Sequence, residues 1–275
     1  MINVNFKKTC MLSFLILIIL IMMVWITMQS IQYTQVKKLC QEIQDGKEIR
    51  TDIGNATTAP LFFDNFAVIM QIKGVKIPLV EACYYRNVQA VEILLKNGAD
   101  PNFYIEGRWS PMEAALICGP VDEKSVEIVK LLVEHGADVD AHASNLSVLE
   151  RLTQGMSFGA TNEVSEQIFK CLVENGADIA CESGGTVLHY LIRGGHIELA
   201  DWLIEKRTLD VNESGYAGMT PLMLVVSLAS DEVLQATVDW LLDHGADISA
   251  KDDFGKTAYD YAMEQGRVEI AELLR

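Results

Sequence analysis

The chain has no concentrated positive charge. Its 22 Lys and Arg are outnumbered by 38 Asp and Glu, for a formal net charge of −16, and no basic run is longer than Lys7/Lys8 or Lys37/Lys38. Phosphate backbones are held by clustered cations, so nucleic acid is excluded as a partner. Closely paired cysteines are missing too. Cys10, Cys40, Cys83, Cys118, Cys171 and Cys181 are scattered without a CxxC, which excludes a disulfide-dense scaffold and a structural zinc site. Their expected role is packing, since Cys83, Cys118 and Cys171 fall within apolar helical stretches. There is no HExxH, no phosphate loop and no Ser/His/Asp set, and Gly184-Gly185 and Gly194-Gly195 read as turn glycines around a short helix. The chain is therefore expected not to be an enzyme and to need no cofactor, metal or small-molecule substrate.

Hydrophobic residues are abundant, at 50% of the chain, and part of that excess is one unbroken run. From Cys10 to Met28 the sequence CMLSFLILIILIMMVWITM carries no charge, proline or glycine. As a helix it is long enough to cross a hydrocarbon core of about 30 Å. The run ends in Trp25, Ile26, Thr27 and Met28 rather than in the small residues of a cleavage site, so it is predicted to be an uncleaved signal anchor. Lys7 and Lys8 abut the run, whereas Lys37 and Lys38 lie further off on the other side. That asymmetry predicts a single-pass plasma (inner) membrane protein with a cytoplasmic N-terminus and an exported body. The expected organisation is a short tail at 1–9, a transmembrane helix at 10–28, a juxtamembrane helix and cap at 29–74, and a repeat domain at 75–275.

Beyond the anchor the chain repeats itself. ILLKNGADPN from Ile93, KLLVEHGADVD from Lys130, KCLVENGADIA from Lys170 and WLLDHGADISA from Trp240 share two core-facing apolar residues, a glycine suited to a left-handed helix end, and a turn aspartate. A second motif precedes each of these stretches or stands in register with them. Ile77-Pro78-Leu79, Ser110-Pro111-Met112, Thr186-Val187-Leu188-His189 and Thr220-Pro221-Leu222 place a helix start where Pro costs no hydrogen bond and Thr or Ser can cap. Together these resemble the two halves of an ankyrin repeat. The resemblance covers about 200 residues and implies an all-α ankyrin-repeat solenoid of helix-turn-helix units with β-hairpin-like connections, joined to one N-terminal transmembrane helix. It divides the domain into about six units: Val75 to Asn102, Phe103 to Asp140, Ala141 to Ala180, Cys181 to Asn212, Glu213 to Ala250, and a C-terminal cap from Lys251 to Arg275. The fourth unit, ending WLIEKRTLDVN, has lost the glycine but keeps Asp210 and Asn212.

Units two, three and five exceed the usual repeat length, and the extra residues are predicted to form loops between paired helices at Cys118 to Lys124, Thr153 to Val164 and Leu228 to Leu234. Upstream, Val36, Leu39, Cys40 and Ile43 recur at helical spacing, and Leu61 to Ile72 is apolar and aromatic. This stretch is read as a divergent N-terminal cap, which a solenoid needs to cover its first core face.

The repeat pattern absorbs most histidines. His135 and His244 precede the GAD turns, His189 closes a T-P-L-H-type motif, and His196 opens a second helix; the resemblance implies that these bond backbone between loops. Only His142 is left over. The turn aspartates Asp100, Asp138, Asp178 and Asp247 are explained by turn hydrogen bonding without a metal.

Ankyrin stacks offer hairpin tips and first-helix faces that line a groove. Mapped on that pattern, Tyr84, Tyr85 and Arg193 fall on first-helix faces, and Asn102, Phe103, Tyr104, Arg108, Trp109 and Tyr216 fall at hairpins. Tyr, Trp and Arg are the residue types that dominate interface energy, so these nine are the predicted partner-binding residues. Trp202 and Trp240 lie beside core leucines and are predicted to be core. The functional expectation is a membrane-anchored protein of bacterial layout that binds a protein partner in its groove, as a periplasmic inhibitor or immunity protein. The alternative is a structural scaffold, or a cytoplasmic-side membrane adaptor with several partners.

Overall fold

The computed structural model describes residues 37–47, 77–104, 109–117, 119–140, 146–157, 163–181 and 184–275. The predicted membrane span, Cys10 to Met28, and the segment Leu61 to Ile72 lie outside them. Among the described residues no helix is long and apolar enough to cross a membrane.

The repeat domain is a stack of helix pairs, one pair per expected unit. They are α1 (Pro78–Tyr84) with α2 (Val88–Lys96), α3 (Pro111–Ile117) with α4 (Glu123–Glu134), α5 (Val148–Ser157) with α6 (Glu163–Glu174), α7 (Val187–Arg193) with α8 (Ile197–Arg207), α9 (Pro221–Leu228) with α10 (Asp231–Asp243), and α11 (Ala258–Glu264) with α12 (Val268–Leu273). Odd-numbered first helices pack on one another along the whole stack, while the closest second-helix packing is between α2, α4 and α6. The hairpin connections carry one isolated antiparallel bridge, Ala180 to Thr186.

Local chemistry explains where the first helices begin. Pro111 and Pro221 open theirs, with Ser110 Oγ accepting from Glu113 N at 3.1 Å and Thr220 Oγ1 accepting from Met223 N at 3.4 Å. The Ser110 N–H in turn donates to Glu113 Oε2 at 2.8 Å, completing a capping box. Thr257 and Asp260 form another in the last unit. In unit three Ser147 Oγ caps Glu150 N at 3.1 Å, an S-x-x-E start that lacks the Pro marking its counterparts.

The second helices end at the GAD turns. Gly98, Gly136, Gly176 and Gly245 have φ between 83° and 96°, a conformation glycine adopts without side-chain strain. The residue before each is a donor into its own helix: Asn97 Nδ2 to Ile93 O at 2.8 Å, Asn175 Nδ2 to Cys171 O at 2.7 Å, and the Nδ1 of His135 and His244 each 2.8 Å from a carbonyl four residues back. A residue with a short side-chain N–H is what this position requires. His135 and His244 therefore cap their own helices instead of bridging loops. His196 does bridge, with Nε2 3.1 Å from Met156 O of the preceding unit.

Units are tied to one another just beyond these turns. Asn102 Nδ2 donates to Gly136 O at 2.9 Å and its Oδ1 accepts from Asp138 N at 2.6 Å. Asp140 Oδ1 accepts from Asp178 N at 2.8 Å, and Asn212 repeats both bonds of Asn102, to Gly245 O at 3.1 Å and from Asp247 N at 2.7 Å. The residue playing this part in unit three is Ala180, which has no polar side chain. There Arg207 reaches back from unit four to Val173 O at 2.9 Å and Ala177 O at 3.0 Å. Unit four has also replaced its missing glycine with Thr208 at φ 52°.

One apolar core runs through the stack, from Leu79 in α1 to Leu274 after α12, and Leu39 and Ile43 of the helical segment 37–44 belong to it. The upstream periodicity thus marks a helix packed on the stack. Cys40, Cys83 and Cys181 are buried, and burial pushes the Cys181 thiol up to about 12. Trp240 is buried as expected; Trp202 is half-buried and packs edge-on to Phe169.

The described residues of two predicted loops are largely helix, with 158–162 outside them. The α5 helix continues through Thr153 and Gly155 to Ser157, because Met156 is buried and the Thr153 hydroxyl bonds the carbonyls of Leu149 and Glu150. In unit five only Ala229 and Ser230 separate the helices, and the added length sits in α10, whose first turn carries Asp231 and Glu232.

Two consequences are measurable. Asn212→Ala and Arg207→Ala each remove two inter-unit bonds and are expected to lower stability of the full chain by about 1–2 kcal/mol, read from the urea midpoint, while Glu213→Ala on the exposed hairpin stays within about 0.5 kcal/mol. His189 is buried and its Nδ1 accepts from Thr186 N at 3.2 Å; burial holds its pKa below the ordinary 6.5. Above 6.5 both folded and unfolded chains carry the neutral ring and stability is at its plateau; as pH falls towards the folded pKa, the unfolded chain takes up the proton first and stability declines. Urea midpoints at pH 8 and pH 5 are expected to differ less in His189→Gln than in the natural chain. Equal differences would show that His189 contributes nothing to the slope.

Candidate functional site

Three of the predicted partner-binding residues converge on the first two units. Tyr84 lies at the end of α1 and Tyr85 follows it, while Trp109 arrives from the next hairpin two residues before α3. The Tyr84 and Trp109 rings stack with centroids 5.5 Å apart and planes 10° from parallel, and Tyr85 meets Tyr84 edge-on at 5.0 Å. Such pairs add roughly 0.5–1.5 kcal/mol to the area they bury. Tyr84 is half-buried between the other two, whereas Tyr85 is 39% and Trp109 42% exposed. The cluster is a pre-formed aromatic ledge with two rings left facing solvent.

Arg86, next in sequence to Tyr85, ties unit one to unit two. It sits at φ 52° in the turn between α1 and α2 and reaches the next unit, with Nη1 3.2 Å from Asp122 Oδ2 and Nη2 3.4 Å from Gly119 O. Arg267 does the equivalent in the last unit, donating to Val226 O and Ala229 O at 2.7 Å each, past the end of α9. No sequence motif marks these two arginines, because their carbonyl and carboxylate partners lie in a neighbouring unit.

The other predicted residues are placed differently. Both ends of the Asn102 amide are bonded into the turn ladder. Phe103 is half-buried, while Tyr104 and Tyr216 are exposed, the latter at 77% on the short 3-10 turn Tyr216–Gly218. Arg193 lies 5.9 Å over the Tyr190 ring and donates to Ser157 Oγ at 3.3 Å, so it is braced across units three and four. Arg108 lies outside the described residues. Two further groove-facing side chains were not singled out by the sequence: Tyr190, whose hydroxyl takes a bond from Gln154 Nε2 at 3.0 Å, and Leu228, which is 57% exposed at the end of α9. Tyr190 directly follows the T-V-L-H motif, so the repeat register alone could have placed it.

The first-helix row is loosest between α3 and α5. A recess of about 140 Å³ opens there, lined by Leu116, Pro120, Val121, Val148, Leu152 and Met156 among others, with Glu113 and Arg151 at its polar edge. Small-molecule sites run from about 300 to 1,000 Å³, so this recess is sized for one inserted side chain. Among the described residues, no group of three or more His, Cys, Asp or Glu is placed to hold a metal ion.

Comparison with known proteins agrees with this architecture. A family model described as ankyrin repeats (3 copies) matches residues 34–143, 157–252 and 210–275. The chain is 36% identical over 92 residues to YahD of Escherichia coli (strain K12), covering 33% of this chain and 46% of that protein. It is 27% identical over 197 residues to the human transient receptor potential cation channel subfamily A member 1, covering 68% of this chain and 16% of the channel. The match thus spans less than half the length of either relative. Among solved structures, the ankyrin repeat protein EF0377 superposes with a TM-score of 0.58 at 26% identity, covering 72% of this chain and 96% of that one. An ankyrin repeat domain from Acinetobacter baumannii AYE gives a TM-score of 0.58 at 24% identity, over 72% and 95% of the two chains. The turn glycines, the capped first helices, the inter-unit ladder and these matches together show that the chain belongs to the ankyrin-repeat family, a fold that serves protein–protein interaction.

Proposed function

We propose that this protein is a membrane-anchored binder that holds one protein partner in its ankyrin groove. Cys10 to Met28 is the anchor, the N-terminus stays in the cytoplasm, and the repeat domain is exported, where it acts as a periplasmic inhibitor or immunity protein. The observation that carries the binding role is the Tyr84–Tyr85–Trp109 ledge. Two large aromatic rings stay in water although packing partners lie within a few ångströms, and rigid aromatics presented in this way are the common anchors of protein interfaces. The ledge costs little entropy to use, since stacking already fixes the rings.

In-cell crosslinking of the full-length protein is expected to capture one dominant partner, and Tyr85→Ala/Trp109→Ala is expected to lose most of it while keeping the native circular dichroism spectrum. Capture of the same many envelope proteins by both forms would replace this reading with a scaffold. A periplasm-active reporter fused after Arg275 is expected to be active and a cytoplasm-active one silent; the reverse result would reverse the topology and make the protein a cytoplasmic-side adaptor.

A further inference from the structure

The chain's charge is unevenly spread. Residues 75–275 hold 33 Asp and Glu against 15 Lys and Arg, so the repeats carry the whole of the negative excess. Within the repeats, the first helices of units two to five stand apart. Their two carboxylates, Glu113 and Glu150, are buried, and the partly exposed side chains along them are uncharged or cationic, among them Gln154, Tyr190, Leu224 and Leu228 with Arg151 and Arg193. The first helices of units two to five are therefore free of solvent-facing carboxylates in a strongly acidic protein, and Glu81 on α1 is half-buried beside the ledge.

The hairpin edge of the same groove is the opposite. Asp100, Asp138, Asp178, Asp210 and Asp247 are exposed, one in each of five successive units. Each uses Oδ1 to accept the N–H two residues on, which fixes the carboxylate at the turn. Hydrogen bonds from Ser249 hold Asp247 below the usual carboxylate range, so it is ionised at neutral pH. Cations on the described hairpins are confined to Lys251 and Lys256 in the last unit.

Resting on the groove reading above, we infer that the occupant is a basic amphipathic helical segment of the partner protein, with its apolar face on the first-helix floor and its Lys/Arg edge over the aspartate row. Charge complementarity fixes both choices. A cation laid on the floor would meet Arg151 and Arg193, whereas one over the hairpin edge meets a carboxylate in each of five units. An acidic segment would be repelled by the hairpin edge and by the net field of the domain, which instead steers a basic segment inward. The apolar face buries Leu228 and the aromatic ledge, and the recess between α3 and α5 takes one of its larger side chains.

The test uses the full chain in zwitterionic lipid nanodiscs, with empty nanodiscs as the blank. Three labelled peptides of about 18 residues, or five helical turns, are titrated: a Leu/Lys amphipathic helix, the same composition scrambled to destroy amphipathicity, and the Leu/Glu counterpart. Fluorescence anisotropy is expected to show tightest binding for the first, weakened by added salt. Tyr85→Glu/Leu228→Glu, two exposed floor positions, should weaken it by about tenfold or more. Asp138→Asn/Asp178→Asn/Asp247→Asn keeps each turn acceptor and should reduce affinity together with its salt dependence. Equal binding of the scrambled peptide, tighter binding of the Leu/Glu peptide, or binding unaffected by both variants would overturn the inference. If crosslinking captures a partner through the ledge but the Leu/Lys helix fails here, the groove reading survives and the basic-helix inference alone is lost.

Discussion

Everything in this molecule depends on one repeated constraint at the end of each second helix. The chain must turn sharply, satisfy the last helical carbonyls, and hand the next unit a hydrogen-bonding group in the correct place. A glycine at positive φ makes the turn in four units, an Asn or His just before it caps the helix, and an Asp just after it fixes the hairpin. Asn102, Asp140 and Asn212 then tie each turn to its successor. Because a solenoid has only nearest-neighbour contacts, stability passes along the stack through joints like these and the shared apolar core. The joint between units three and four shows how strict the requirement is. Ala180 cannot make the link, and Arg207 supplies carbonyl contacts from the other side.

Regular joints place the first helices side by side, and that gives the groove its character. Tyr84 and Trp109 come from different units, yet the stacking distance between adjacent first-helix ends brings their rings into contact. The same regularity sets exposed aspartates along one edge of a floor whose central first helices, in units two to five, carry no solvent-facing carboxylate. The binding surface is thus a product of register: no single unit contains it.

Much of this was legible in the sequence, because the features that carry the fold are local. The GAD turns, the Ser-Pro and Thr-Pro helix starts and the apolar spacing are short motifs, and each marks a helix end or start in the structure. The unit-three start at Ser147 is not marked in the sequence because its serine cap has no proline beside it. The added lengths of units three and five read as loops, but buried Thr153 and Met156 carry α5 on to Ser157, and the extra residues of unit five lengthen α10. The ledge was half legible: its rings could be named from residue type, while their contact depended on the spacing between units. Asn102 has the polarity of a binding residue but spends its amide inside the ladder. Arg86 and Arg267 were invisible for the complementary reason, since their carbonyl and carboxylate partners lie a full unit away and no local motif pairs them.

The central claim is that the first-helix face, and not the outer face formed by the second helices, engages a partner. Hydroxyl-radical footprinting of the full chain in intact cells, compared with the purified chain, reads this directly. The account predicts that Tyr85, Trp109 and Leu228 lose reactivity in cells while Trp202 and Leu273 on second helices keep theirs. Protection of the second-helix residues with Tyr85, Trp109 and Leu228 unchanged would contradict it.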